Sequence, residues 1–469
     1  MNKKGGKKFS EKNVVFDCDV LVIGSGAAGI SAAFSARGSG KKVIIIEQDK
    51  VGGECPNYAC VPTKALITSA KAYYFLKNEY PILGVKCEKP MYSFAKIMKY
   101  KQSVVSAVTG DGKRLGNLLG QNRIKLIKGS ARFIDKHTVK VNKKKIKARF
   151  IVIATGVENT LPPIDGIEKT PYYTYKEIMD LKKQPKSVAI IGGGPVGCEL
   201  ATFFSLIGTK VTIFEVMPHI LGSEDEEISL LASKQMQNHG TNIFTNTKVL
   251  SSKKVGKKVE LVYQQGKKKR ESMQVDLIVI AAGRKPRVEN LHLDSAGIKI
   301  DARGRLIVND YLQTSQKHIF AAGDVTSKMQ FTHTAHRDGG VVGWNVCVNN
   351  KAMKKIDNRV VPRVTFTMPE VASVGMTQKD AKEAGYKITV KSFPVGALGR
   401  AVTENKREGL IKVVLKKETN QILGAQIIGQ NAGEVIHELA LGMYLNAKFD
   451  DIQSMLHAFP TYSEAIVAI

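Results

Sequence analysis

Two cysteines five residues apart, Cys55 and Cys60, stand in the run Gly52-Gly53-Glu54-Cys55-Pro56-Asn57-Tyr58-Ala59-Cys60-Val61-Pro62-Thr63-Lys64. Five residues of continuous α-helix rise about 7.5 Å, and a disulfide needs Cα atoms within about 7 Å. A bridge between these two therefore requires the segment to loop. Pro56 and Pro62 each remove a backbone donor and fix φ, which places the start of the next helix near Cys60. At that N-terminus the macrodipole, and the ammonium of Lys64 one turn further on the same face, both favour a thiolate. This is a setting for thiol redox chemistry. The plain alternative is a zinc pair or two buried thiols, but Cys18, Cys87, Cys198 and Cys347 offer no second close pair to complete a zinc site.

The elements around the run point to what it exchanges electrons with. Asp19 to Ile23 reads as a short strand entering Gly24-Ser25-Gly26-Ala27-Ala28-Gly29, then an Ala-rich helix, then a strand from Lys42 to Glu47. In such a βαβ unit Gly24, Gly26 and Gly29 allow a tight turn and close helix packing, and the helix N-terminus faces a pyrophosphate. Glu47 accepts from a ribose hydroxyl. The pattern recurs: Gly192, Gly194, Gly197 and Glu215 repeat Gly24, Gly26, Gly29 and Glu47 at a constant offset of 168 residues. Two fingerprints imply two dinucleotides, and a dithiol after the first makes FAD the first and a nicotinamide the second. The Glu215 carboxylate repels a 2′-phosphate, which favours NAD over NADP, with Lys210 and His219 close by in sequence. Phe150 to Gly156 and Leu277 to Arg284 are apolar strands ending in small residues, which brings Thr155 and Gly156 to the flavin and Gly283 to the nicotinamide nucleotide. Asp324, closing Ile319-Phe320-Ala321-Ala322-Gly323, is suited to a sugar-alcohol hydroxyl of the flavin, an ordinary turn aspartate being the alternative.

At 469 residues the chain is long enough for two to four domains, and 43% hydrophobic with 24% charged residues is ordinary for a globular enzyme. Scattered cysteines argue against a secreted disulfide framework, Met1 to Asn13 is polar and lysine-rich without an apolar core, and no apolar run is long enough to span a bilayer. A reducing cytoplasm is the expected compartment. The formal net charge of +29 comes from 71 Lys and Arg against 42 Asp and Glu. Its densest runs, Lys140 to Lys147, Lys253 to Lys258 and Lys267 to Arg270, lie between β-like segments and read as solvated hairpin tips. They lack the aromatic interleaving that stacks bases, so no specific nucleic-acid partner is expected.

Taken together, the chain resembles the pyridine nucleotide-disulfide oxidoreductases of the group containing dihydrolipoyl dehydrogenase, glutathione reductase and mercuric reductase, from about Asp19 to Glu464. Carrying the resemblance are the Cys55/Cys60 run, both fingerprints, Ala281-Ala282-Gly283-Arg284-Lys285-Pro286, Ala322-Gly323-Asp324, Met368-Pro369-Glu370, and Pro460-Thr461-Tyr462-Ser463-Glu464. It implies an α/β fold with two Rossmann-like dinucleotide-binding domains and an α+β C-terminal dimerisation domain. The implied boundaries are 1–157 for the FAD domain with its redox disulfide, 158–284 for the NAD domain, 285–355 for a central segment completing the FAD site, and 356–469 for dimerisation. It further implies that Cys60 is the flavin-proximal charge-transfer thiol and Cys55 the interchange thiol. Lys64 would pair with Glu199 beside the flavin, Gly53 would join the flavin site, and Ala335 would open a helix aimed at the flavin ring. A homodimer would lend each active site C-terminal residues from the other subunit.

The resemblance breaks at one chemical position. Its disulfide-reducing members carry a His-Pro-Thr motif whose histidine shuttles a proton to the interchange thiol, and here that residue is Phe459, so Glu464 keeps no imidazole to orient. A positioned acid/base contributes roughly two to four orders of magnitude. His457 is the candidate substitute, and in an extended stretch it would share a face with Phe459, a structural role being the alternative. Mercuric reductases also lack this histidine, but they commonly bear a second C-terminal cysteine pair and use NADPH, whereas this chain has no cysteine after Cys347 and carries Glu215. Glu54 stands where Thr or Ser is usual, and Ala59 where Gly is usual. The leading expectation is an FAD-dependent, NAD-linked dithiol/disulfide oxidoreductase similar to dihydrolipoyl dehydrogenase, acting on a small-molecule or lipoyl-protein dithiol or disulfide. The alternatives are a reductase of a metal ion or quinone, for which Phe459 costs nothing, and a basic flavoprotein that binds an acidic partner.

Overall fold

The run Val20-Leu21-Val22-Ile23 has no polar face, as a strand covered on both sides requires. It lies at the centre of a parallel sheet in a computed structural model of the chain, which describes residues 15–326 and 329–469. The lysine-rich stretch Met1 to Asn13 lies outside the described residues. Strand Cys18–Ile23 pairs in parallel with Val43–Glu47 on one side and with the far half of Lys144–Ile153 on the other. Lys125–Lys128 extends the sheet beyond the first and Ile319–Ala321 beyond the second, while the near half of Lys144–Ile153 enters an antiparallel meander with Thr138–Val141 and Ala131–Phe133. Ile23 stands opposite Ile46 and Ile153, and Ile153 opposite Ala321. The four strands therefore end level, and Gly24, Glu47, Thr155, Gly156 and Asp324 follow at one carboxyl edge, where open α/β sheets bind ligands.

Helix Ala27–Gly38 buries Ala28, Ala32, Ala33 and Ala36, and its small side chains let a second helix, Thr332–Asn345, approach closely. A Cβ added at Gly339 would lie 2.1 Å from the Ala28 carbonyl oxygen, and one at Gly343 2.6 Å from that of Ala32, so both positions require glycine.

A second parallel sheet repeats the scheme in the order Thr241–Phe244, Lys210–Phe214, Ser187–Ile191, Leu277–Ile280. Beyond it three antiparallel strands, Thr247–Val255, Lys258–Gln265 and Glu271–Val275, form hairpins whose turns carry two of the lysine runs, and the third run sits on the turn between Thr138–Val141 and Lys144–Ile153. A five-stranded antiparallel sheet from Arg363 to Gly429 and helix Ala432–Leu445 complete the α+β C-terminal part. The architecture is thus two Rossmann-like sheets and an α+β C-terminal region. Among the described residues no helix is long and apolar enough to cross a membrane.

Packing divides the described chain into two compact units, one from the residues through Cys55 with Thr109–Glu158 and Lys285–Ile356, the other from Pro56–Val108, Asn159–Arg284 and Asp357–Ile469. The division falls inside the Cys55/Cys60 run. Within the second unit, buried ion pairs tie the start of helix Glu226–Asn238 to the C-terminal sheet. Lys412 Nζ lies 2.8 Å from Asp225 Oδ1 with both side chains 7% exposed, and Arg363 Nε lies 2.9 Å from Glu224 Oε1.

Candidate active site

The two fingerprints match in their hydrogen bonds as well as their letters. Glu47 Oε2 accepts from the Ser25 N–H (2.8 Å) and hydroxyl (2.7 Å), and its Oε1 accepts from the Asp49 N–H (2.7 Å). Glu215 Oε2 accepts from the Gly193 N–H (2.6 Å), and its Oε1 from the Met217 N–H (2.8 Å). Gly193 and Met217 sit at the same 168-residue offset from Ser25 and Asp49. Each acid is thus held at its strand end with both oxygens fixed. Gly24 and Gly192 have φ of +103° and +111°, and a Cβ on either would strike the carbonyl of Ala154 or Ala281 at 2.3 or 2.4 Å. A Cβ on Gly29 or Gly197 would lie 2.0 Å from the carbonyl of Gly24 or Gly192. Gly26 and Gly194, at the helix N-caps, face open space, as do Gly156 and Gly283.

In the first unit the start of the cysteine run, through Cys55, is stitched to the first fingerprint. The Gly52 N–H donates to the Ser25 carbonyl at 3.1 Å, and a Cβ on Gly53, whose φ is +71°, would lie 2.7 Å from Gly26 Cα. Glu54 and Cys55 then enter a single helical turn, Glu54–Asn57, in place of open loop. Pro56 is tolerated there because a first turn makes no use of its missing N–H. The Arg287 guanidinium lies 3.3 Å from Glu54 and 3.6 Å from Glu158. Asp324 is half-buried in the turn Gly323–Val325, and Ala335 is buried on Thr332–Asn345 within packing distance of Gly323. On the same helix Asp338 is buried, which raises its carboxyl above the ordinary range against the pull of Arg337.

In the second unit Cys60 begins helix Cys60–Tyr74 after a break at Tyr58 and Ala59, with Pro62 in the first turn. Lys64 Nζ lies 2.8 and 2.7 Å from the two oxygens of Glu199, which is 7% exposed on helix Pro195–Leu206. The Phe366 N–H donates to Glu199 Oε1 at 3.1 Å, and the Phe366 ring lies under Lys64 Nζ at 4.5 Å. Helix, buried acid and aromatic ring hold Lys64 in one position.

The C-terminal residues part company. The His457 side chain is 4% exposed, its Nε2 lies 2.5 Å from Glu438 Oε1 and its Nδ1 2.9 Å from the Met455 carbonyl. Both nitrogens are directed at oxygen atoms of this chain, which turns the ring into its own segment. Phe459 is 79% exposed, beside Leu456 at 97%. No strand forms here, so His457 and Phe459 do not share the face expected of extended backbone. Glu464 accepts from the Thr461 N–H at 2.8 Å and starts helix Glu464–Ala468.

The first fingerprint's surroundings fit a flavin dinucleotide. Thr155 Oγ1 is buried without a hydrogen-bond partner, at the edge where Gly26 and Gly156 leave space and the Ala27–Gly38 helix presents its N-terminus. The second site fits a nicotinamide dinucleotide through Glu215, Gly194, Gly283 and the N-terminus of Pro195–Leu206. Sequence reasoning missed Phe366 and Arg287, because their partners lie 167 and 233 positions away. The Gly339/Gly343 spacing was a readable signal of close helix contact.

Residues 18–339 match the family model described as pyridine nucleotide-disulphide oxidoreductase, and residues 361–469 match its dimerisation domain. A mercuric reductase of Staphylococcus aureus is 34% identical over 97% of this chain and 83% of its own length. A dihydrolipoyl dehydrogenase of Thermus scotoductus is 36% identical over 96% of each. The solved Cu(II) complex of the HOCl-induced flavoprotein disulfide reductase RclA from Escherichia coli superposes with a TM-score of 0.85 at 29% identity, covering 96% of this chain and 98% of that one. With a duplicated nucleotide cradle and the glycines before Cys55 stitched to the first copy, the chain belongs to the pyridine nucleotide-disulphide oxidoreductase family, as an FAD-dependent enzyme of the disulfide oxidoreductase type working with NAD(P)H.

Proposed function

We propose that this enzyme is an NADH-dependent reductase whose Cys55/Cys60 dithiol delivers electrons to an acceptor that needs no proton from the protein, a thiophilic metal ion: one Hg(II) that takes both electrons, or two Cu(II) that take one each. The observation that carries the reading is the C-terminal motif, where Phe459 replaces the acid/base and the candidate substitute, His457, is engaged at both nitrogens. A thiol leaving group needs a proton there; a metal ion held by two thiolates does not. FAD, held at the first fingerprint, would supply the two-electron chemistry that links the nicotinamide to the Cys55–Cys60 disulfide.

The remaining roles fall to side chains. Cys60, at its helix N-terminus, is the thiol favoured as thiolate by the dipole and by Lys64, which Glu199 fixes in place. Cys55, on the one-turn helix before it, is the thiol that meets the acceptor. Gly24, Gly26, Gly29, Glu47, Gly53, Thr155, Gly156, Asp324 and Ala335 would hold FAD. Gly192, Gly194, Gly197, Glu215 and Gly283 would hold NADH, with Glu215 disfavouring NADPH. His457 serves the fold by tying its segment to the helix that exposes Leu441, Tyr444 and Leu445. That apolar surface, with Leu456 and Phe459, is the face a second copy would cover in a homodimer. A reducing compartment such as the cytoplasm suits a working dithiol.

The test compares acceptors on purified, flavin-loaded protein. The expected result is NADH oxidation on Hg(II) or Cu(II) at least about tenfold faster in kcat/KM than NAD reduction by dihydrolipoamide. A dihydrolipoamide rate equal to or above the metal-ion rate would overturn the reading and make this a lipoamide-type enzyme.

A further inference from the structure

We propose that a lysine-lined groove at the starting edge of the second parallel sheet is a binding site for a linear chain of phosphates, an inorganic polyphosphate. The site does not depend on which acceptor the dithiol serves. Strands Ser187–Ile191, Lys210–Phe214 and Leu277–Ile280 lead into Gly192, Glu215 and Gly283 at their carboxyl ends. At the opposite ends, roughly 16 Å away for five residues of strand, Ser187, Lys210 and Leu277 border a groove of about 1260 Å³.

Six lysines converge on this groove from three separate stretches: Lys182, Lys183 and Lys186 before the first strand, Lys210 at the start of the second, and Lys257 and Lys258 at the hairpin between Thr247–Val255 and Lys258–Gln265. All six are exposed, and among the described residues none of their ammoniums makes an ion pair or a hydrogen bond. Against them stand three carboxylates, Glu177, Asp180 and Asp276, which leaves a surplus of three positive charges. Two of the three are held by backbone donors: Asp276 Oδ2 accepts from the Lys186 and Ser187 N–H groups at 2.7 and 3.1 Å, and Glu177 Oε2 from the Thr174 N–H at 2.7 Å. Elsewhere a lysine with a carboxylate in reach takes it, as Lys253 does with Glu260 at 3.0 Å. Here the cations repel one another, and an anion along the groove relieves that repulsion. The neutral polar side chains are engaged as well. Gln184 Nε2 donates to the Ile207 carbonyl and the Thr209 hydroxyl at 3.0 and 3.1 Å, and Gln274 Nε2 to Glu260 at 3.3 Å. What the groove offers is therefore ammonium donors, which suits a ligand made of acceptors alone. Tyr173 is the one aromatic residue of the described lining, too little to stack successive bases. An extended acidic peptide turns successive side chains to opposite faces, so half of its carboxylates point away from the lysines, whereas a phosphate chain carries charge on every unit.

The experiment measures binding of fluorescently labelled short-chain polyphosphate to the full-length, flavin-loaded protein by anisotropy, over about 0.05 to 0.2 M salt. Each phosphate contact adds about 0.7 to the slope of log affinity against log salt, taking the value for single strands. Lys186→Gln/Lys210→Gln removes two contacts, so the slope is expected to flatten by about 1.4, an affinity loss of about 25-fold at 0.1 M salt relative to the 1 M reference. Lys257→Gln/Lys258→Gln, from another stretch of the lining, should lose as much. Lys143→Gln/Lys144→Gln removes the same charge from an exposed hairpin of the other compact unit and should stay within about threefold of wild type. Equal losses in all three variants would overturn the proposal, because the net charge of +29 would then hold the anion without a site. Displacement of the probe by poly-L-glutamate at equal charge would overturn it in favour of an acidic protein segment. Displacement by NADH would overturn it by putting the probe in the nucleotide cradle at the other end of the strands.

Discussion

Glu215 offers the sharpest handle on cofactor choice, because the structure denies it freedom to move away. Its oxygens accept from the Gly193 and Met217 N–H groups at 2.6 and 2.8 Å, so a 2′-phosphate on the adenosine ribose would meet a carboxylate that cannot turn aside. Two unit charges about 5 Å apart interact by about 3 kcal/mol at an effective dielectric of about 20. A phosphate carries about 1.5 to 2 charges. Half-burial of Glu215 and salt screening reduce the repulsion to about 3 kcal/mol, or about two orders of magnitude in kcat/KM at 1.4 kcal/mol per tenfold. The wild-type enzyme is therefore expected to prefer NADH over NADPH about 100-fold. Glu215→Ala should narrow this below about tenfold, NADPH gaining as the repulsion goes and NADH losing as its ribose hydroxyl loses an acceptor. The assay is steady-state oxidation of each nucleotide with one shared acceptor such as menadione. A wild-type enzyme that uses NADPH as well as NADH, or a variant with an unchanged ratio, would refute the reasoning.

Other substitutions probe other parts of the account. Lys412→Met strands the buried Asp225, and breaking such a pair costs about 3–5 kcal/mol; thermal denaturation should drop by several degrees relative to Lys379→Met on an exposed helix, and equal midpoints would contradict the buried latch. Phe459→His restores an acid/base to the C-terminal motif, so dihydrolipoamide turnover should rise at least about tenfold with little change on Hg(II); an unchanged thiol rate would mean that proton transfer is already supplied. Burial pushes the Cys18 thiol up to about 12 and raises that of Cys198 as well. Alkylation of the native protein at pH 8 should spare both while modifying the exposed Cys87, and labelling of Cys198 without unfolding would contradict the packing of helix Pro195–Leu206.

What the sequence disclosed is what short stretches of chain decide. Both fingerprints were legible because strand, glycine turn, helix and acid lie together in one short stretch, from Asp19 to Glu47 and from Ser187 to Glu215, and the fold repeats them down to the N–H groups on Glu47 and Glu215. Pro62 correctly marked Cys60 as a helix start, whereas the turn Glu54–Asn57 was not foreseen, since a four-residue helix leaves no periodicity to read. The lysine runs lie on hairpin turns for the reason the alternating strands around them suggested. Contacts between distant residues were invisible. Nothing in the spacing of Glu54 and Arg287, or of Asp225 and Lys412, shows that they meet. The extended stretch expected to put His457 on the face of Phe459 did not form for the same reason: Glu438 draws the imidazole inward while Phe459 stays out.

The central claim is that electrons from the nicotinamide reach the Cys55/Cys60 pair. The most direct measurement is an anaerobic thiol count on the flavin-loaded protein before and after one equivalent of NADH, with peptide mapping of the new thiols. The account predicts two additional thiols per chain, at Cys55 and Cys60, and none in Cys60→Ser. An unchanged count in the wild type, with the flavin taking the reducing equivalents and the pair left as it was, would contradict it.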